Sequence, residues 1–215
     1  MKLIKVAAVF AALGVLGVLF VRSAQSSRTE PYTVARDRLA GWTLALETEA
    51  ETARSGSVLT LRPNADLASR LGTQIFRRAG ESLNYPNPAG MSLVLRSELD
   101  RAAPGALTPE ALLGTARAAG LETATFKPRC MGHRWVSEPG VTRGVYFVVF
   151  DSPAFVAFRQ QVATQVRAAG GGASLFDPAA MSPVLIVAGL DGGFSRWLPI
   201  KVDPQTDCVA PVTVE

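Results

Sequence analysis

Histidine occurs once in the 215 residues, at His133, and cysteine twice, at Cys130 and Cys208. A zinc site draws three or four ligands from histidine, cysteine and carboxylates, usually paired at short spacing. His133 follows Cys130 by three residues, no second histidine exists, and the other cysteine lies 78 positions on, so no ligand set can be assembled. No metal and no other cofactor is therefore expected. Basic residues form no run either. Arg77 and Arg78 are the only adjacent basic pair, and no stretch interleaves basic with aromatic residues as a nucleic-acid groove would. Nucleic acid is accordingly excluded as a partner. The glycine-rich "AGGGAS" (169–174) has no lysine nearby and follows a helix carboxyl terminus, whereas phosphate loops lead into a helix amino terminus. It reads as a helix-to-strand connection. Motifs for serine hydrolases, dinucleotide binding, EF-hands and kinases are absent, as are internal repeats and low-complexity tracts.

What the chain does have begins at its amino end. Lys2 and Lys5 precede sixteen apolar or small residues, Val6 to Val21, which Arg22 closes. This is the layout of a secretory targeting segment. Leu3 and Ile4 extend the run toward the length of a full span if Lys5 snorkels to the interface. Cleavage after Ala24 would put Arg22 at an unfavourable position, so residues 1–22 are expected to stay as a signal anchor, with residues 3–22 in the membrane and 23–31 as a polar tether. Cleavage would instead give a secreted protein. No cysteine directly follows the apolar run, which excludes a lipidated amino terminus. The formal net charge of +4 also resides here, because beyond Arg22 there remain 19 basic and 18 acidic residues. The expected location is the inner membrane, single-pass, with residues 32–215 forming one exported domain in the periplasm or exoplasmic space.

Within that domain the periodicity predicts an α+β fold. "MSLVLRSEL" (91–99) reads as a strand, and "LTPEALLGTARAAG" as a helix capped by Thr108, opened by Pro109 and stopped at Gly120. Residues 121–127 alternate as a strand that runs on into "RCMGHRWVSE" (129–138). "VYFVVFD" is apolar on both faces, as an interior strand would be. Ser152 and Pro153 open a helix with an apolar stripe of Phe155, Phe158, Val162 and Val166, and "PVLIVAG" is a further apolar strand. The order β, α, β, β, α, β over about 91–190 predicts a ferredoxin-like core, with the strands beginning at Met91 and Val145 side by side at its centre. The turn at Asp191–Gly193 suggests that "SRWLPIKV" returns as a hairpin strand covering the edge. Ahead of this core, "GWTLALE" and "SVLTLR" read as strands and "NADLASRLGTQIFRRAG" as a helix, capped by Asn64 and stopped at Gly80, giving an amino-terminal β/α extension. The residues between Arg36 and Arg54 also fit a helix. "NYPNPAG" and "RAAPGALTP" are proline-marked loops.

Few chemistries remain open. Cys130 and Cys208, an even count in an exported chain, are expected to form a disulfide tying the carboxyl-terminal tail to the sheet. This leaves no free thiol for a Cys-His pair, and His133 becomes a framework residue. Asp151 ends a strand before a helix cap, Glu138 lies in the 136–142 turn, and Arg134 lies in the stretch just before that turn. Together with His133 they are the candidate site residues, but nothing in the sequence makes them converge, and acid-base catalysis needs convergence. The expectation is a membrane-tethered, non-enzymatic binding or scaffold module of the cell envelope whose partners are envelope proteins. The competing expectation is an exported enzyme working through carboxylates and arginines.

Overall fold

The computed structural model describes residues 30–80, 82–101, 107–171 and 174–215, except the side chains of Ala65 and Glu138. The expected anchor (1–22), most of the tether, and parts of the loop after Arg101 and of the glycine-rich connection lie outside those residues. Eight strands are joined in one mixed sheet, with five helices, among the described residues. In chain order these are β1 (Tyr32–Val34), β2 (Thr43–Leu46), α1 (Glu49–Ser55), β3 (Ser57–Arg62), α2 (Ala65–Ala79), β4 (Met91–Leu95), α3 (Arg96–Arg101), α4 (Pro109–Ala118), β5 (Lys127–Glu138), β6 (Val141–Asp151), α5 (Pro153–Ala168), β7 (Val184–Gly189) and β8 (Cys208–Val214).

The helices begin where their capping chemistry lies. The Asn64 side chain accepts from the Asp66 N–H, Thr108 caps α4 through the Ala111 N–H, and Ser152 caps α5 through the Phe155 N–H, the last two with proline in the first turn. Gly80 ends α2 at a φ of +65°, a left-handed conformation that favours glycine. From α2, α4 and α5, Leu67, Leu71, Leu112, Phe155, Phe158 and Val162 form one continuous core with the sheet face carrying Leu59, Leu93, Val148, Phe150, Leu185 and Val187. Trp42 closes this core beside Phe126, with ring centroids 4.7 Å apart, and meets Phe150 edge-on at 5.6 Å.

The strand order, β1-β8-β5-β6-β7-β4-β3-β2, differs from a ferredoxin-like core. "VYFVVF" is interior as expected, but its neighbour is β7 and not β4. β7 pairs antiparallel with β6 on one side and with β4 on the other, so the strands beginning at Met91 and Val145 are not adjacent. Burial accounts for this, since all six residues of β7 are buried and an edge would have left one side of that apolar ribbon exposed. With both sides of β7 paired, "SRWLPIKV" has no edge to cover. It forms a single 3-10 turn at Phe194–Trp197 and an irregular passage whose Ile200 is wholly buried. That segment, with Phe194, Trp197, Leu198 and Val202, roofs the second face of the sheet over Cys130, Val145, Phe147, Val149, Val184 and Ile186.

Three further expectations are corrected. The strand over 91–99 stops at Leu95, where the Glu98 carboxylate accepts the Leu95 N–H at 3.0 Å and the chain turns into α3. Residues 121–126 are a turn and an irregular link in which Leu121 and Phe126 are buried anchors, and β5 starts only at Lys127. The carboxyl-terminal tail is a strand. β8 runs antiparallel to β5 and parallel to β1, with Ala210 and Val212 turned inward. Between Arg36 and Arg54 both readings hold in part, because a 3-10 turn (Arg36–Leu39), β2 and α1 follow one another.

Candidate functional site

Cys130 and Cys208 are paired at disulfide distance, with Cα atoms 5.7 Å apart, on the roofed face of the sheet. β5 and β8 bring them together, since Cys208 lies opposite Gly132 and Pro211 opposite Cys130. Beside them Arg134 forms a two-pronged ion pair with Asp207, both bonds at 2.7 Å, and donates a further bond to the Lys201 carbonyl. The Asp207 side chain is nearly buried and also accepts the Asp203 N–H at 2.8 Å. Arg134, followed by that backbone N–H, holds the Asp207 carboxyl below its ordinary range against the opposing effect of burial. His133 stacks flat on Tyr146, its cross-strand neighbour, with ring centroids 4.2 Å apart, and its N–H bonds the Asp207 carbonyl at 2.9 Å. These residues fasten the 201–208 passage to β5. They are framework.

Asp151 and Glu138 occupy opposite ends of the β5–β6 hairpin. Asp151 lies opposite Lys127, and Glu138 lies opposite Val141 at the tip. Ten strand steps between them amount to about 34 Å, so they cannot act on one bound molecule. Asp151 is exposed and faces Arg129 at 3.9 Å. The four candidates from the sequence therefore split into a structural pair, His133 and Arg134, and two separated carboxylates.

A polar constellation does converge elsewhere, on the part of the roofed face formed by β2, β3 and β4. There Ser57, Thr60 and Ser92 replace the apolar residues that β6 and β7 carry. Ser57 and Ser92 hydroxyls lie 2.5 Å apart, and the Thr60 hydroxyl donates to the buried Glu47 carboxylate. Arg62 donates one nitrogen to Glu47 at 3.2 Å and to Glu51 at 3.1 Å, bridging the two carboxylates. Glu51 reaches back to the Thr48 N–H at 2.8 Å while Thr48 caps α1, a reciprocal capping box that fixes its position. Those Thr48 bonds, with Arg62 behind them, keep the Glu51 carboxyl below its usual range.

Above this floor lies a cleft of about 270 Å³. The cleft is also lined by Pro86 to Pro88 and by the apolar side chains of Ile186, Phe194 and Leu198. The same proline loop separates the cleft from a wider groove of about 720 Å³ on the helix side, lined by half-buried Arg62 and by exposed Ser69, Thr73 and Tyr85. The Tyr85 ring lies against Gly72 of α2, where an added Cβ would sit 2.4 Å from it, so the loop is seated on the helix by a glycine.

Chemically the cleft offers hydroxyls that donate or accept, fixed carboxylate oxygens, and an apolar wall. The Glu47 carboxylate is engaged by Thr60 and Arg62, and the Glu51 carboxylate is held by Thr48 and Arg62 in a way that favours its ionised form. No cluster of three or more histidine, cysteine or acidic side chains with metal-holding geometry occurs among the described residues. Sequence reasoning missed this site because its residues come from the β2–α1 link, α1, β3, the 86–90 loop, β4, β7 and the 191–198 passage, and pairing across a sheet is not visible in local spacing. One signal was available. "SVLTLR" carries Ser57 and Thr60 in a strand whose other residues, apart from the terminal Arg62, are apolar, and "MSLVL" carries Ser92 among apolar residues only. Compared with protein-family models, with curated proteins and with solved structures, the chain matches none.

Proposed function

We propose that the protein is a membrane-tethered, exported binding module of the cell envelope, held by residues 3–22 and receiving its ligand in the cleft between the Pro86–Pro88 loop and the 191–198 passage. The observation that carries this reading is the change in character of the roofed face, from apolar over β6 and β7 to hydroxyl-lined over β3 and β4 beneath that cleft. Concave sites with an apolar wall and a few convergent polar groups are the usual form of a small-ligand or side-chain pocket. The cleft suits an amphipathic group, such as a peptide side chain or small molecule, with hydrogen-bond donors facing Glu47 and Thr60 and a hydrocarbon face on Phe194 and Leu198.

A second reading, an exported enzyme using carboxylates and an arginine, draws on the meeting of Glu47, Glu51 and Arg62. It is the weaker one, because general acid-base catalysis wants a carboxyl tuned upward toward the working pH, and Glu51 is shifted the other way. The test is recovery of bound material from full-length protein purified from detergent-solubilised membranes, followed by mass spectrometry, in parallel with Ser92→Leu and Phe194→Ala. The parent should retain a stoichiometric ligand that both variants lose with unchanged circular dichroism. A ligand retained equally by all three would place binding elsewhere. Turnover that disappears in Glu47→Gln would favour the enzyme.

A further inference from the structure

The β5–β6 hairpin is the longest element of the sheet, at 12 and 11 residues, and it outruns its neighbours. β8 accompanies β5 only as far as Gly132, and β7 accompanies β6 only to Val145. From Arg134 to Arg143 the two strands pair with each other and with no third strand among the described residues. This projecting tip carries large apolar residues on both of its faces, with Trp135 64% exposed on one and Val136 and Val141 each 45% exposed on the other, beside exposed Ser137 and Thr142. Large exposed aromatic and β-branched residues on a projection, beyond any core they could serve, mark a contact surface.

The route of the chain into the sheet indicates what that surface meets. β1 is parallel to β8 and β8 is antiparallel to β5, so β1 runs opposite to β5 and the chain enters from the side toward which the tip points. Tyr32 lies opposite Val212, one step past the Pro211 to Cys130 pair, which sets Glu30 near the level of Met131. Arg78 fixes this entry by donating to the carbonyls of Glu30 and Pro31 while its guanidinium lies 3.9 Å over the Tyr32 ring. From the level of Met131 the hairpin extends seven residues to Glu138, about 24 Å of strand. From Glu30 back to Arg22, where the apolar run ends, the chain has eight steps, roughly 28 Å at full extension. The maximum reach of eight residues is therefore comparable to the length by which the hairpin projects, so the tip lies within the distance that the residues back to Arg22 can span.

We propose that the hairpin tip is a second membrane contact, in which Trp135, Val136 and Val141 enter the boundary between headgroups and acyl chains of the bilayer holding the amino-terminal segment. Tryptophan has the amphipathic ring that favours this depth. The inference rests on the membrane tether of the preceding reading, and its test separates the two. Full-length protein is reconstituted into vesicles of equimolar phosphatidylcholine and phosphatidylglycerol, with and without phosphatidylcholine spin-labelled near the carbonyl end of its acyl chain. Tryptophan emission should be quenched by the labelled lipid, the quenching should vanish in Trp135→Phe, and it should persist in Trp197→Phe. Co-flotation with vesicles but quenching unaffected by Trp135→Phe would overturn the hairpin contact and leave the tether standing. A Trp135 shielded from both labelled lipid and aqueous iodide would show a protein on the tip and overturn it equally. Failure to co-float would overturn both.

Discussion

Arg159 shows how a single residue can reverse a local rule. It sits on α5 between Phe158 and Val162, is completely buried, and all its N–H groups are used. Nε reaches the Pro178 carbonyl, one terminal nitrogen reaches the Leu93 carbonyl and Glu98, and the other reaches Glu98 at 2.6 Å and the Asp177 carbonyl. Its guanidinium also lies 4.5 Å over the Phe176 ring. The arginine thereby joins α5, the 176–178 loop, β4 and α3 at one point. Removing its counter-charge leaves a guanidinium stranded in the core, which typically costs about 3 to 5 kcal/mol. Glu98→Ala should therefore lower the urea midpoint strongly, while Arg159→Met combined with Glu98→Leu should cost less than the two single changes added together. A midpoint for Glu98→Ala equal to that of the parent would show that the pair carries no such role. A similar reversal occurs at Gly132, inside a strand where glycine is ordinarily weakening. A Cβ there would sit 2.2 Å from the Phe147 ring, which covers that position from the facing strand.

At the scale of elements, β8 depends most on a covalent tie. Four of its seven residues are exposed, and only Ala210 and Val212 are buried. The bond to Cys130 closes a loop of 78 residues, which in the chain-entropy model stabilises the fold by roughly 4.5 kcal/mol. Denatured, non-reduced protein from the native compartment should show no free thiol and a monomeric mass, and Cys130→Ser with Cys208→Ser should shift the denaturation midpoint down by an amount of that order. Two titratable thiols in the native material would remove this stabilisation from the account. The cysteine pairing was legible from count alone, and so were α2, α4 and α5, because caps, proline and terminal glycines are local chemistry. β8 was legible only in the alternation of Ala210 and Val212, which Pro211 and the preceding polar residues obscured. The position of β7 was not legible. Its doubly apolar sequence demanded two neighbours, but which two depended on pairings nearly a hundred residues apart, where β4 was as suitable a partner as any unbuilt hairpin. The cleft was hidden for the same reason, since each contributing strand looks ordinary until β2, β3 and β4 lie side by side.

At the scale of the whole molecule, the two ends of the described chain are one structure. β1 lies along β8, the Glu215 N–H donates to the Val34 carbonyl at 3.0 Å, and the Arg36 N–H returns to the Glu215 carbonyl at 3.0 Å. Whatever precedes residue 30 is thus mechanically joined to the strand that the disulfide fastens. The proposed exported orientation has two independent supports, charge and redox chemistry. Lys2 and Lys5 precede the apolar run, and basic flanks are retained on the cytoplasmic side. Among the described residues no helix is long and apolar enough to cross a membrane, so none of them supplies a return span. A Cys130–Cys208 bond persists in an oxidising compartment and is reduced in a cytosol. In the proposed tethered arrangement both arguments would put residues 30–215 on the far side, and each can fail alone. Alkaline phosphatase fused after Glu215, which is exposed, should be active, whereas a cytoplasmic fluorescent reporter at the same point should be dark. A bright reporter with inactive phosphatase would reverse the topology. It would also require Cys130 and Cys208 to be found reduced in the cell, so thiol labelling of the same cells decides whether the orientation or only the reporter is at fault.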